Sequence, residues 1–146
     1  MQQKISRVVI IKGSLHPIND LQIHEVLKRQ RAGTGEKKRK LLGKSITLIA
    51  GPKRKGNPRT VAKNIMRRTK KVFRKYSFHH VILIGGDIAQ HFCRVFKIHH
   101  LDIIDAVEKG IVVTRAPNNL YITLKPGGFG DRMSLWRCIE MVWSMD

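Results

Sequence analysis

The chain has 146 residues, 42% of them apolar, with a formal net charge of +19. One domain of that length can bury roughly 70% of the surface its unfolded chain exposes, and the apolar share is enough for a core, which argues against global disorder. No apolar run approaches the roughly 20 residues that span a bilayer, and the four-residue run at 8–11 is too short for a signal-peptide core.

The charge is uneven. Residues 28–75 hold 19 Lys and Arg against the single Glu36, a net of +18, whereas residues 1–27 carry +1 and residues 76–146 are neutral. Any attraction to an anionic partner therefore rests on one segment. Cys93 and Cys138 stand 45 positions apart, outside any metal-spaced pattern. They read as two reduced core thiols of a cytoplasmic protein.

In chain order, the β-branched run at 5–12 predicts a buried strand stopped by Gly13-Ser14. Asn19 with Gln22 fits a capping-box-like start, and a helix follows to about Lys28, with Leu21, Ile23, Val26 and Leu27 as apolar contacts. Residues 29–44 read as a solvated basic excursion. A second strand at 46–50 and a basic Gly- and Pro-punctuated loop at 51–59 lead to a helix over 60–76. Its apolar face is Val61, Ile65, Val72, Phe73 and Tyr76. Residues 80–84 form a strand ending in Gly85-Gly86-Asp87, and the next helix carries a core stripe of Ile88, Ala89, Phe92, Cys93 and Phe96. Short strands are expected at 102–106, 111–114 and 120–124, with a last helix over 133–143. The pattern predicts a single domain over 1–146, a three-layer α/β/α sandwich. Its central sheet is mostly parallel, with an antiparallel extension near the C-terminus.

In such a sheet, ligands bind beyond the carboxyl ends of the strands. Three strands end in small or Gly-rich turns: Gly13-Ser14, Gly85-Gly86-Asp87 and Pro126-Gly127-Gly128-Phe129-Gly130. Glycine lets main chain come close to a phosphate, and the helix after Gly86 offers unpaired N–H groups. Lys125 adds a positive charge at a strand end. Asp87 reads either as a helix N-cap or as a group that holds Mg²⁺ or its water shell. The seven histidines show no ligand spacing, so no protein metal site is expected, and no catalytic residue can be named.

Three segments together resemble the C-terminal nucleotide-binding domain of the four-carbon acid sugar kinases, the YgbK-like or DUF1537 family. The stretch 9–23, with Gly13-Ser14, Pro17 and Gln22, is similar to that family's strand, Gly-Ser and Pro-x-Thr-x-x-Gln segment. Gly85-Gly86-Asp87-Ile88 is similar to its Gly-Gly-Asp/Glu-Thr motif, and Leu124-Lys125-Pro126-Gly127-Gly128-Phe129-Gly130 to its Leu-Lys-Ser-Gly-Asn-Phe-Gly loop. The resemblance spans about 8–143 and implies an ATP site, with Mg²⁺ carried on the nucleotide. Ser14, Gly85, Gly86, Asp87, Ile88, Lys125, Gly127, Gly128 and Gly130 would meet the nucleotide there. It also implies phosphoryl transfer to a sugar-acid hydroxyl.

Departures from the family are Ile88 for Thr, Pro126 for Ser, Gly128 for Asn and Asn19 for Thr. The family's substrate domain is not in this sequence, so catalysis is expected to need a second chain or domain. The alternative expectation is a repurposed basic protein whose segment 28–75 holds nucleic acid or another anionic surface without reading sequence. Self-association as a homodimer is a further expectation.

Overall fold

The structure, a computed structural model, describes residues 6–31 and 44–145. Its strands are β1 (Ser6–Lys12), β2 (Lys44–Ala50), β3 (His80–Ile84), β4 (Asp102–Glu108), β5 (Ile111–Arg115) and β6 (Tyr121–Lys125). They form one sheet in the order β2-β1-β3-β6-β5-β4. The first four of these run parallel, and β5 and β4 close the far side antiparallel. The helices are α1 (Pro17–Arg31), α2 (Pro58–Lys75), α3 (Gly86–Val95) and α4 (Ser134–Ser144).

Side chains alternate across a strand, so one β-branched run feeds two cores. Val9, Ile11, Val81 and Leu83 pack against α2 and α3 through Ile65, Met66, Ile88 and Phe92. Val8, Ile10, Ile82 and Ile84 face the other way, onto Val26 of α1 and Leu135, Cys138, Ile139 and Val142 of α4. The result is the expected α/β/α sandwich with its antiparallel extension. Residues 32–43, most of the expected basic excursion, lie outside the described residues.

Two local readings change. Helix α1 begins at Pro17, where the fixed φ of proline suits a first helical position. The residue before it, His16, does the capping: its Nδ1 accepts from the Ile18 N–H at 3.2 Å. Asn19 is therefore inside the helix, fully buried, and is not the cap. Leu21, expected in the core, is 55% exposed, while Gln22 and Glu25 face inward. Helix α1 thus buries polar groups: Asn19 meets Lys125 at the end of β6, Gln22 the loop after it, and Glu25 the Arg132 side chain just beyond.

Candidate functional site

Sheet register sets the site. Ala50 pairs with Lys12, Lys12 with Ile84, and Ile84 with Lys125, so four parallel strands end abreast. The next residues continue the row through main-chain bonds. Gly51 N–H donates to Lys12 O at 3.4 Å, Gly13 N–H to Ile84 O at 2.9 Å and Gly85 N–H to Lys125 O at 3.0 Å. At typical strand spacing the row spans about 14 Å.

The turns are drawn together at Ser14. A Cβ on Gly85 would lie 3.2 Å from Ser14 N, and Gly85 itself has φ +111°, which favours glycine. A Cβ on Gly127 would sit 2.7 Å from Ser14 Cβ, closer than real carbons approach. Ser14 Oγ accepts from the His16 N–H at 3.2 Å, and the His16 ring reaches toward Gly128, where a Cβ would lie 3.4 Å from Nε2. Three strand-end turns far apart in sequence thus meet around one residue, Ser14.

Each expected residue has a distinct setting. A Cβ on Gly86 would meet nothing within 4 Å, so this position opens to solvent. Gly85, the residue before α3, has no side chain to cap the helix, and the first-turn N–H groups stay available. Asp87 is exposed in that first turn. The side chain of Ile88 is 3% exposed and belongs to the core beneath the turn; its Cβ would lie 2.7 Å from one built on Gly13. Ile88 is therefore a wedge between the β1 turn and α3. Gly130 has φ +92°, and a Cβ there would come 2.6 Å from Ser134 Cβ.

Lys125 differs most from its expected role. It is 1% exposed, and its Nζ donates to Asn19 Oδ1 at 2.9 Å, Pro126 O at 3.2 Å and Gly127 O at 3.4 Å. An ammonium has three N–H donors, so the charge is occupied inside the loop rather than standing in the opening. Burial pushes its pKa down, partly countered by the fields of Cys138 and Glu108. Gln22 completes the brace: Nε2 donates to Phe129 O at 3.3 Å and Asp131 O at 2.7 Å. Lys125 and Gln22 shape the 126–131 loop, and the loop meets Ser14.

Beside Ser14, on the side of β2, lies a cleft of about 270 Å³ lined by Lys12, Ser14, Leu15, Arg54, Lys55 and Asp87, with Gly51 and Gly56 in its wall. Sequence reading missed Lys12, Gly51, Arg54, Lys55 and Gly56 as site residues. A signal existed, since Gly51, like Gly13 and Gly85, directly follows a parallel strand. The Lys-Arg-Lys run beside it hid that signal by resembling an ordinary solvated loop.

Comparison with known proteins bears on the family and the fold. The sequence profile of the nucleotide-binding C-terminal domain, NBD_C, matches residues 34–135. The chain belongs to that family. Ser14 and most of α4 lie outside the matched stretch, so their place in the site rests on the geometry above. No curated protein matches the chain.

Among solved structures, it is similar to a domain of unknown function (DUF1537) from Bordetella bronchiseptica with bound citrate, described as a domain-swapped dimer. The TM-score is 0.74 at 15% identity, covering 96% of this chain and 42% of that one. A DUF1537 protein of Haemophilus influenzae gives 0.69 at 13% identity, covering 97% and 42%. A protein named a putative tRNA synthase from Salmonella typhimurium LT2 gives 0.57 at 13%, covering 91% and 40%. At these identities the likeness is one of fold. The chain spans about two fifths of the length of these relatives.

Among the described residues, no helix is long and apolar enough to cross a membrane. No cluster of three or more His, Cys, Asp or Glu among them could hold a metal.

Proposed function

We propose that the site binds ATP, with its phosphates against the 85–88 turn and the 127–130 loop and Ser14 between them. The observation that carries this reading is the convergence of three strand-end turns on Ser14, beside uncapped N–H groups of α3. Main-chain amides in such turns suit phosphate oxygens. The donor set also fits Mg²⁺ arriving on the nucleotide. Asp87 supplies one carboxylate in the cleft, and Mg²⁺ at phosphate sites commonly takes one or two carboxylates, water and phosphate oxygens. Bound there, the ion would neutralise phosphate charge.

The resemblance to four-carbon sugar-acid kinases supports a role as the nucleotide-holding half of a phosphoryl-transfer enzyme. A second domain or chain would then hold the sugar acid, because transfer requires both reactants in one frame. Leu15 and Phe129, beside the site, are 47% and 48% exposed, which suits a surface covered by that second body. Titrating Mg-ATP while following the melting temperature tests the binding step. A rise that grows with nucleotide concentration is expected; an unchanged melting temperature at millimolar Mg-ATP, with the fold intact, would count against it.

One observation supports a second role for the basic segment. A groove of about 310 Å³ between α2 and α3 is rimmed by Lys63, Arg67, Lys70, Lys71 and Arg74, and no residue of α2 is acidic. A polyanion backbone would fit such a rim. Gel shift of duplex DNA across a salt series tests this, and an absent shift at low salt would remove it.

A further inference from the structure

The cleft has a cationic wall that the family-like motifs do not account for. Lys12 closes β1 and is 9% exposed, with its Nζ held 2.9 Å from Asp20 Oδ1. Arg54 and Lys55 come from the loop between β2 and α2, and line the same space beside Ser14 and Asp87. Three cations from two elements therefore border a space to which Asp87 adds one carboxylate. Among the described residues, neither Arg54 nor Lys55 is in an ion pair. The nearby N-terminus of α2 is not the attraction for an anion, because Asn57 Oδ1 already accepts from Arg59 N–H at 3.0 Å and Thr60 N–H at 3.3 Å.

We propose that Lys12, Arg54 and Lys55 form a subsite for a chain of phosphates, so that the protein selects nucleoside triphosphates over monophosphates. The inference rests on the nucleotide reading above and adds where the outer phosphates lie: toward the β2–α2 loop. Lys12 is the pre-set member. The carboxylate that holds it belongs to a side chain 73% exposed, so Asp20 turns into water at little cost when a phosphate arrives. Lys12 then exchanges one anion for another without moving out of its buried position. Arg54 and Lys55 are exposed in the loop and close on the outer phosphates, Arg54 with the planar fork suited to two phosphate oxygens.

The test is calorimetric titration with adenosine, AMP, ATP and inorganic tripolyphosphate, each with Mg²⁺, on the unmodified chain and on an Arg54→Ala/Lys55→Ala double variant. Both substituted positions are exposed, so the fold is expected to survive, and a melting curve verifies it. Affinity should rise at least tenfold from AMP to ATP, and tripolyphosphate should compete with ATP. The double variant should weaken ATP tenfold or more and AMP less than twofold. Equal affinity for AMP and ATP, a double variant that binds ATP as before, or no competition by tripolyphosphate would each overturn the subsite while leaving the nucleotide site standing. Failure of the unmodified chain to bind any of the nucleotides would overturn both.

Discussion

Gly86→Ala separates fold from function at a single atom. Gly86 is the first residue of α3, and a methyl there would have no neighbour within 4 Å and no positive φ to strain it. Replacing a helical glycine by alanine at a compatible position stabilises by about 0.4–1 kcal/mol, largely through the unfolded chain. Unfolding entropy is about 2.1 cal/mol/K per residue, or about 0.3 kcal/mol/K for the whole chain, so the melting temperature should rise by about 1–3 °C. The same methyl stands where a phosphate must approach the first amides of α3. Losing one charge-assisted hydrogen bond costs about 1.5–3 kcal/mol, or roughly 10- to 150-fold in affinity. Differential scanning calorimetry and ATP titration on one preparation read both numbers. A variant that melts higher yet binds Mg-ATP as tightly as before would refute the placement of the phosphates.

Lys125→Met should act through the loop. It leaves Asn19 Oδ1 and Gly127 O without the Lys125 donor, and Pro126 O with the Phe129 N–H alone, so a loss of about 2–4 kcal/mol is expected, a fall of about 6–13 °C in melting temperature; a fall under about 2 °C would show that the brace does not matter. Gly13→Ala should destabilise by about 1–3 kcal/mol, because its methyl meets Ile88, and urea midpoints would measure this. Acid should weaken the loop and its neighbours. The Arg137 guanidinium holds Asp131 below its ordinary 3.8, and the Arg132 guanidinium holds Glu25 below 4.5. Their contribution is whole above those values and fades as pH falls through the lower folded ones. Arg137→Ala should flatten that fall in urea titrations, and an unchanged profile would contradict it. Burial raises the Cys138 thiol to about 12, so alkylation near pH 8 should spare it in the folded chain and reach it after unfolding.

The sheet was legible because its central strands are runs of Val, Ile and Leu at 8–11 and 81–84 that no helix pattern accommodates. The glycine turns were legible for a related reason: a parallel sheet places every such turn at one edge. What could not be read was how side chains divide between loop and opening. Lys125 looks like a free charge at a strand end until register sets it beneath the loop it braces. Asn19 passes for a cap because capping and buried bracing use the same amide chemistry. Leu21 looks like core, since periodicity cannot reveal that α1 spends its inner face on Asn19, Gln22 and Glu25. Arg54 and Lys55 were absorbed into the charge of the 28–75 segment, and only the pairing of β2 beside β1 brings them to Lys12.

A titration of ¹⁵N-labelled protein with Mg-ATP, followed by backbone amide shifts, tests the convergence on Ser14 most directly. The largest shifts should fall together on Ser14, on Gly85, Gly86, Asp87 and Ile88, and on Gly127, Gly128 and Gly130, saturating along one binding curve. Shifts confined to α2 or to β4, with those amides unmoved at saturating nucleotide, would contradict it.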